Sequence, residues 1–309
     1  MNIVFMGTPD YAVPTLKQLI EDGHNISAVF CQPDKPVGRK QILTFPAVKV
    51  CAIEHNIPVY QPDSVRTDEV YDTLTNINPD VIVVVAYGKI LPERILNLAK
   101  YGCINGHASL LPKYRGASPI QWAIVNGEKE TGVTIQYMDK GIDTGDILEV
   151  AKTNIKEGET ADQLFDRLSL ITASLLSSTL KKVEKGELVP IKQNDNEATY
   201  APIIKKEMAL VDFNNSAEQI YNAVRGYNSW PVAYCFLDGK RFKIFSCTIS
   251  DNIKGKIGEI ICKNGEMFVV CGEKSIKLCE IQLEGGKRMS VSDFLKGKQL
   301  PEGTVLKQE

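Results

Sequence analysis

The run Val81-Ile82-Val83-Val84-Val85 constrains the fold more than any other part of the chain, because all five residues are β-branched and apolar. A strand of this composition has apolar side chains on both faces and must be buried on both, as the central strands of parallel sheets are. Short apolar runs and helical patterns alternate on either side of it. The sequence therefore predicts a Rossmann-like α/β unit, built on a doubly wound, mostly parallel sheet between helices.

This alternation extends over residues 1–188, which are predicted to form one domain. The predicted strands are Ile3–Met6, Ile26–Cys31, Val59–Tyr60, Val81–Ala86, Gly132–Met138 and Asp146–Lys152. The predicted helices are Val13–Asp22, Ala47–His55, Asp68–Asn76, Pro119–Asn126 and a long helix from about Ala161 to Glu184. Thr160 and Gln163 precede and begin the long helix with the spacing of a capping box.

The pattern changes after residues 189–204, a polar segment with prolines and no clear periodicity that is predicted to be a linker. A short helix is predicted at Ser216–Arg225, with Ser216 and Gln219 as a second capping pair. The predicted strands that follow are Val232–Leu237, Phe242–Ile249, Gly258–Lys263, Met267–Cys271 and Ile276–Leu283, with hairpin signals at Asp238-Gly239 and Asn264-Gly265. We therefore expect residues 205–309 to form a small β-barrel of the OB-like type.

Composition limits the function classes. A length of 309 residues, with 43% hydrophobic and 24% charged residues, fits a globular protein of two domains. The net charge of −2 argues against generic nucleic-acid binding. However, residues 205–309 carry 16 basic and 13 acidic side chains, whereas residues 1–204 carry 20 and 25. This asymmetry suggests an anionic partner for the C-terminal third.

Eight cysteines are scattered along the chain, and none forms a C-x-x-C pair. In a chain of this length the pattern is typical of reduced, buried thiols in a cytosolic protein, and it predicts no metal site. The chain opens on a strand pattern at Asn2–Met6 without a basic leader, and no apolar run reaches membrane-spanning length. We expect a cytoplasmic protein without a membrane anchor, and a monomer, because no feature suggests an interface.

The chemistry of the chain is concentrated in residues 105–116. Asn105 and His107 are two residues apart in an extended segment, so their side chains point to the same side. An amide N–H can hold a developing oxyanion and an imidazole can move a proton near neutral pH, which are the two requirements of acyl transfer. Asp143 lies in a glycine-flanked loop and could stabilise the imidazolium, although Asp139 and Asp146 are rival candidates on local grounds.

Other common motifs are missing. The turn Gly7-Thr8-Pro9-Asp10 follows the first strand, where doubly wound folds bind ligands, but it is not the G-x-G-x-x-G fingerprint of dinucleotide sites. No Walker A sequence is present either. A nicotinamide oxidoreductase is therefore disfavoured, and Gly7 by itself indicates only a tight turn between a strand and a helix.

Together, these motifs resemble a known family. The pattern Asn-x-His-x-Ser-Leu-Leu-Pro-x-Tyr-Arg-Gly at residues 105–116, followed by Gly-Ile-Asp-Thr-Gly at residues 141–145, resembles the formyltransferases that use 10-formyltetrahydrofolate. Three further stretches are similar to the branch of that family that formylates initiator methionyl-tRNA: Gly7–Tyr11, the basic loop Gln32–Arg39, and the stretch from Ala198–Ala201 to Trp230-Pro231. The resemblance covers essentially the whole chain.

The resemblance implies a role for each site residue. Asn105 would donate to the formyl oxygen, His107 would act as acid and base, and Asp143 would orient and charge His107 and hold a water that relays a proton. The residues implied to line the tetrahydrofolate site are Ser109, Leu110, Leu111, Pro112, Tyr87, Ile90, Leu91 and Pro92. The residues implied to contact the tRNA acceptor end are Arg39, Lys35 and Lys40, and the domain at residues 205–309 would bind tRNA as well.

Two positions depart from the family pattern. Gly106 stands where a bulkier apolar residue is usual, and Lys40-Gln41-Ile42 stand where glycine and more lysines are frequent. Two other functions compete with tRNA formylation: formyl transfer to a small amine, such as an amino-sugar nucleotide or a purine precursor, and non-catalytic RNA binding on an enzyme scaffold. The basic loop and the C-terminal third argue against the first, and the intact set of Asn105, His107 and Asp143 argues against the second.

Overall fold

The strand predicted from the apolar run lies in the middle of a seven-stranded sheet in the computed structural model, which describes residues 1–38 and 41–309. The strands up to the end of this sheet are β1 (Asn2–Gly7), β2 (Asn25–Phe30), β3 (Lys35–Val37), β4 (Ile42–Thr44), β5 (Val59–Tyr60), β6 (Val81–Val85), β7 (Cys103–His107), β8 (Glu130–Tyr137) and β9 (Ile147–Asn154). The order of the seven strands in the sheet is β5-β2-β1-β6-β7-β8-β9, and β3 and β4 form a separate two-stranded sheet.

The first five strands of the sheet run parallel, β8 pairs antiparallel with β7, and β9 pairs antiparallel with β8. Every residue of β6 is buried, as its apolar composition requires. The prediction of a Rossmann-like, mostly parallel sheet is therefore confirmed. Gly7 ends β1 in very close quarters, because a Cβ there would lie 2.9 Å from the Ala12 Cβ and 3.0 Å from the Val85 carbonyl oxygen.

The helices are α1 (Val13–Glu21), α2 (Ala47–Glu54), α3 (Asp68–Ile77), α4 (Glu93–Leu96), α5 (Pro119–Val125), α6 (Ala161–Lys185), α7 (Ala217–Gly226) and α8 (Val291–Gly297). Both predicted capping boxes are present: Thr160 and Gln163 exchange hydrogen bonds at the start of α6, and Ser216 and Gln219 do so at the start of α7. Within the described ranges, no helix combines the length and the apolar composition that crossing a bilayer requires.

The described residues divide into two compact units. The first unit comprises Met1–Pro119, Glu130–Asn154 and Phe165–Pro202, and the second comprises Ile120–Lys129, Ile155–Leu164 and Ile203–Glu309. The seven-stranded sheet belongs to the first unit. The second contains a six-stranded antiparallel sheet formed by β10 (Ala233–Leu237), β11 (Lys240–Ser250), β12 (Ile260–Lys263), β13 (Glu266–Val270), β14 (Ser275–Leu283) and β15 (Met289–Ser290).

The chain end closes this second sheet into a barrel. Its order is β10-β11-β14-β13-β12, and Lys307 bridges to Phe236 in β10, while Val305 bridges to Glu259 beside β12. The two edges of the sheet are thereby joined. Both predicted hairpin turns have positive φ at their two central residues, 51° and 72° at Asp238-Gly239 and 53° and 74° at Asn264-Gly265. The apolar face of α7 packs into the same core.

Gly106, in the middle of β7, is explained by a neighbour on α6. A Cβ at this position would lie 2.6 Å from Cγ2 of Thr172, which is too close for two carbon atoms. Thr172 is fully buried and held in place, because its hydroxyl donates to the Leu168 carbonyl (2.9 Å) and lies 2.7 Å from the Tyr11 hydroxyl. Thr172 therefore occupies the space that a larger residue at position 106 would need.

We predict that Gly106→Ala lowers the free energy of unfolding by about 1–3 kcal/mol, the usual cost of overpacking, although alanine is ordinarily the better residue within a strand. Thr172→Ser removes the obstructing methyl group and keeps the hydroxyl, so the double variant should recover most of that loss. Urea denaturation of the four proteins measures both effects. An equal cost of Gly106→Ala beside Thr172 and beside serine would contradict this account.

Candidate active site

Strand β7 places Asn105 and His107 on one side of the sheet. β7 pairs with β6 in parallel, where Val84 faces Asn105, and with β8 in antiparallel, where Gln136 faces Asn105 and Thr134 faces His107. Cross-strand partners point to the same face of a sheet, so Gln136 shares the face of Asn105 and His107. Asn105 and His107 are both buried, 9% and 6% exposed. A short strand between two partners is thus a rigid support for both side chains.

Asp143 meets these two residues from the loop between β8 and β9. Its Oδ1 atom lies 3.4 Å from Asn105 Nδ2 and 3.5 Å from His107 Nδ1. Gln136 Nε2 donates to the same oxygen at 3.1 Å, and the backbone N–H of Gly116 donates to Oδ2 at 2.8 Å. The three residues singled out in the sequence therefore converge on one carboxylate.

The two rival carboxylates lie elsewhere in the same loop. Asp139 accepts from the Gly141 N–H at 2.9 Å and from the Thr144 hydroxyl at 2.5 Å, so it serves the turn that it belongs to. Asp146 is exposed. Of the three aspartates that local reasoning left open, Asp143 is the one that the structure brings to His107.

The His107 imidazole lies between two acceptors. Its Nε2 atom is 2.9 Å from the Tyr114 carbonyl oxygen, and its Nδ1 atom faces the Asp143 carboxylate. Neutral imidazole carries one N–H, whereas the imidazolium carries two. An imidazolium at this position could therefore donate to both acceptors at once.

Residues 109–112 of the implied tetrahydrofolate site are fastened to β8. The Leu111 N–H donates to the Thr134 hydroxyl at 3.1 Å, and that hydroxyl donates to the Ser109 carbonyl at 2.7 Å. The Ser109 side chain is buried and donates to the Lys113 carbonyl at 2.6 Å. Leu110 and Pro112 are half-buried, so they offer more of their surface than Ser109 or Leu111 does.

The other implied part of that site, residues 87–92, follows β6, the parallel neighbour of β7, and both strands end at the same edge of the sheet. Tyr87 and Leu91 are buried in the core, and burial raises the pKa of the Tyr87 phenol far above its ordinary value. Ile90 is 61% exposed, and Pro92 is half-buried. That residues 87–92 and 109–112 bind the folate stays a prediction from the sequence.

Of the residues implied to contact tRNA, Lys35 is exposed at the start of β3, paired with Thr44 of β4. Arg39 and Lys40 lie outside the described residues. Their role therefore stays a prediction from the sequence.

Sequence reasoning missed three groups that donate to Asp143, namely the side chains of Gln136 and Gln193 and the Gly116 N–H, and the Arg115 side chain that donates to Gln193. Gln193 is only 7% exposed, although it belongs to the segment predicted to be a linker. Its Nε2 donates to the Asp143 carbonyl (2.9 Å) and the Gly145 carbonyl (2.7 Å), and its Oε1 accepts from Arg115. Tyr-Arg-Gly, immediately after the chemical motif, was the one local signal for this neighbourhood.

Comparison with known proteins places this geometry in a family. Residues 1–180 match the family described as formyl transferase, and residues 203–299 match the formyl transferase C-terminal domain. The chain is 50% identical over 309 residues to the methionyl-tRNA formyltransferase of Caldanaerobacter subterraneus subsp. tengcongensis, covering 99% of this chain and 100% of that protein. It is 48% identical to the methionyl-tRNA formyltransferase of Lachnospira eligens, covering 99% of each.

Solved structures share the fold at lower identity. An N-formyltransferase from Helicobacter canadensis, in complex with folinic acid and dTDP-3-aminofucose, superposes with a TM-score of 0.66 at 20% identity, covering 89% of this chain and 98% of that one. The methionyl-tRNA formyltransferase from Clostridium thermocellum superposes with a TM-score of 0.57 at 20% identity, covering 92% and 98%. With both of its domains matched and relatives at about half identity over its full length, the chain belongs to the formyl transferase family.

Proposed function

We propose that this protein transfers the formyl group of 10-formyltetrahydrofolate to the α-amino group of initiator methionyl-tRNA. The observation that carries the proposal is that Asn105 Nδ2 and His107 Nδ1 each lie within 3.5 Å of the same oxygen of Asp143. An amide donor and an imidazole on one face of a strand suit a carbonyl whose oxygen becomes negative. The identity of the acceptor is supported by the full-length similarity to methionyl-tRNA formyltransferases.

In this proposal the folate supplies the formyl group and leaves as tetrahydrofolate. As the amine forms its bond to the formyl carbon, negative charge develops on the formyl oxygen, and the Asn105 Nδ2–H group donates to it. His107, as an imidazolium, would stabilise the same oxygen. The amine must also lose a proton, and the nitrogen that leaves the formyl carbon must gain one.

Asp143 supports both partners in this step. Its Oδ1 atom faces Asn105 and His107, so it orients the amide and the imidazole and balances the charge of the ring. A water held by this carboxylate would relay the proton released by the amine. Asp143 is about 16% exposed at its side chain, which leaves part of the carboxylate accessible for that contact.

We further propose that residues 205–309 and the loop around Lys35, Arg39 and Lys40 bind the tRNA. The C-terminal third carries the basic excess of the chain, and a small amine acceptor would need neither this domain nor a basic loop. Contacts from lysine and arginine to phosphates position RNA without reading its sequence. The proposed location is the cytoplasm, where charged initiator tRNA is made and used.

The direct test is formyl transfer from 10-formyltetrahydrofolate to methionine-charged initiator tRNA, with uncharged tRNA and free methionine as controls. Product with the charged tRNA alone would support donor, acceptor and reaction together. Product with an amino-sugar nucleotide and none with charged tRNA would overturn the proposed acceptor and favour the small-amine alternative. RNA binding without any formyl transfer would favour the non-catalytic alternative.

We predict that Asn105→Ala lowers kcat by about 10²–10³-fold, because one donor to the developing oxyanion is lost. Binding of tetrahydrofolate, measured by calorimetry, should change little, since the donor acts mainly in the transition state. Turnover within a few-fold of that of the unaltered enzyme would refute the role of Asn105.

We predict that Asp143→Asn is at least as damaging, with a loss of about 10²-fold or more in kcat. Gln136 Nε2 and the Gly116 N–H donate to the two carboxylate oxygens, and an asparagine amide would turn an NH₂ group against one of them. The His107 ring would lose its carboxylate neighbour, so its NMR ring signals at one fixed pH should differ from those of the unaltered enzyme. Identical ring signals would refute the pairing.

We predict that Arg39→Gln weakens binding of initiator tRNA and lowers the slope of log K against log salt by about one, as expected for one lost phosphate contact. Filter binding at about 50 to 200 mM salt measures both the affinity for tRNA and its dependence on salt. Lys17→Gln, an equal charge change at an exposed position of α1, is the matched control. Equal effects of the two changes would mean that Arg39 acts only through the overall charge.

A further inference from the structure

Gln193 is the buried centre of a hydrogen-bond chain that ends at Asp143. Its Oε1 atom accepts from Arg115 Nε at 3.0 Å and from Arg115 Nη2 at 2.8 Å. Its Nε2 atom lies 3.2 Å from Gln136 Oε1, and Gln136 Nε2 in turn donates to Asp143 Oδ1 at 3.1 Å. Two amides therefore connect a guanidinium group to the carboxylate that faces His107.

The guanidinium fixes the direction of this chain. Arginine has only donors, so the oxygen of the Gln193 amide must face Arg115 and its nitrogen must face away. The nitrogen side meets three oxygens: the Asp143 carbonyl, the Gly145 carbonyl and Gln136 Oε1. Because the oxygen of Gln136 is engaged in this way, its nitrogen is turned toward Asp143. Donation thus runs from Arg115 through Gln193 and Gln136 to the carboxylate.

We infer that Gln193 is a positioning residue for formyl transfer: by fixing the orientation of the Gln136 amide and of the loop backbone around Asp143, it holds the carboxylate against Asn105 and His107. This inference rests on the proposed function for its consequence in turnover. It assigns Gln193 no contact with substrate, and its effect reaches the reaction only through Asp143.

The anchor of the chain is itself well fixed. Arg115 is almost fully buried, and its Nη2 atom also lies 2.8 Å from Asp195 Oδ1, two residues beyond Gln193. The Arg115 N–H donates to the Thr199 carbonyl at 2.8 Å, and the Arg115 carbonyl accepts from Ala201 at 2.7 Å. The segment of residues 193–201 therefore lies alongside Arg115 and holds both the backbone and the side chain of this residue.

Replacement of Gln193 by glutamate isolates the direction of the chain. The carboxylate has nearly the same shape and still accepts from Arg115, but it offers no donor to the two loop carbonyls or to Gln136. In Gln193→Glu, the Gln136 amide would turn its nitrogen toward the new carboxylate and its oxygen toward Asp143. The amide oxygen and the Asp143 carboxylate are both acceptors, so they would repel each other. Asp143 would then be pushed away from its position beside His107.

The test compares Gln193→Glu with Asn196→Asp, which makes the same chemical change at an exposed position of the same segment. We expect Gln193→Glu to lower kcat by about 10–100-fold, the usual effect of losing the partner behind a functional group, with the KM values for folate and charged tRNA within about threefold of the unaltered enzyme. Asn196→Asp should leave kcat and both KM values unchanged.

A second readout is independent of activity. The NMR ring signals of the histidines at one fixed pH, with His107 assigned from the spectrum of His107→Asn, report the surroundings of that ring directly. Gln193→Glu should shift the His107 ring signals and leave those of His24 and His55 in place. Asn196→Asp should leave all three in place.

The outcomes separate the two claims. If the unaltered enzyme forms no formylated tRNA, the proposed function fails, and the NMR comparison still decides whether Gln193 positions Asp143 beside His107. If Gln193→Glu and Asn196→Asp match in kcat and in the His107 ring signals, the inference is overturned. Should Gln193→Glu fail to fold, Gln136→Glu breaks the same chain one step nearer to Asp143 while Arg115 and Gln193 stay paired, and the same two readouts decide.

Discussion

The structure of the candidate site depends on one carboxylate surrounded by hydrogen-bond donors. Asn105, Gln136 and the Gly116 N–H donate to Asp143, and His107 Nδ1 lies 3.5 Å from the same carboxylate. A carboxylate can accept hydrogen bonds on both of its oxygens, so one side chain can hold donors that arrive from several elements. A displacement of Asp143 would therefore change the surroundings of Asn105 and His107 together.

Sheet topology makes this arrangement possible. Parallel strands β6 and β7 end at the same edge, and the antiparallel return of β8 sets Gln136 directly opposite Asn105. Because β8 runs antiparallel to β7, it ends beside the first residues of β7, where Tyr137 faces Ile104 and the Met138 N–H donates to the Cys103 carbonyl. The loop after β8 therefore begins next to β7 and brings Asp143 to Asn105, 38 positions away in sequence.

Local patterns predicted much of this structure, and long-range contacts account for what they missed. Several features depend only on neighbouring residues and could therefore be predicted from the sequence. They are the apolar run of β6, the hairpin turns Asp238-Gly239 and Asn264-Gly265, and the spacing of Asn105 and His107. Gln136 needed the register of β7 on β8, and Gln193 needed the path of a segment with no periodicity. Thr172 explains Gly106 from a helix 66 positions away. Among three nearby aspartates, only the folded loop distinguishes Asp143.

The central claim is that Asn105 acts as one unit with the Asp143 carboxylate, and a double-mutant cycle in kcat tests it most directly. The cycle compares Asn105→Ala, Asp143→Asn and the double variant in formyl transfer to charged initiator tRNA, with folding checked by circular dichroism. If the account is right, the double variant loses little more than the worse single variant, because groups that act as a unit are not additive. Losses that multiply independently would show that Asp143 and Asn105 serve separate steps and would contradict the account.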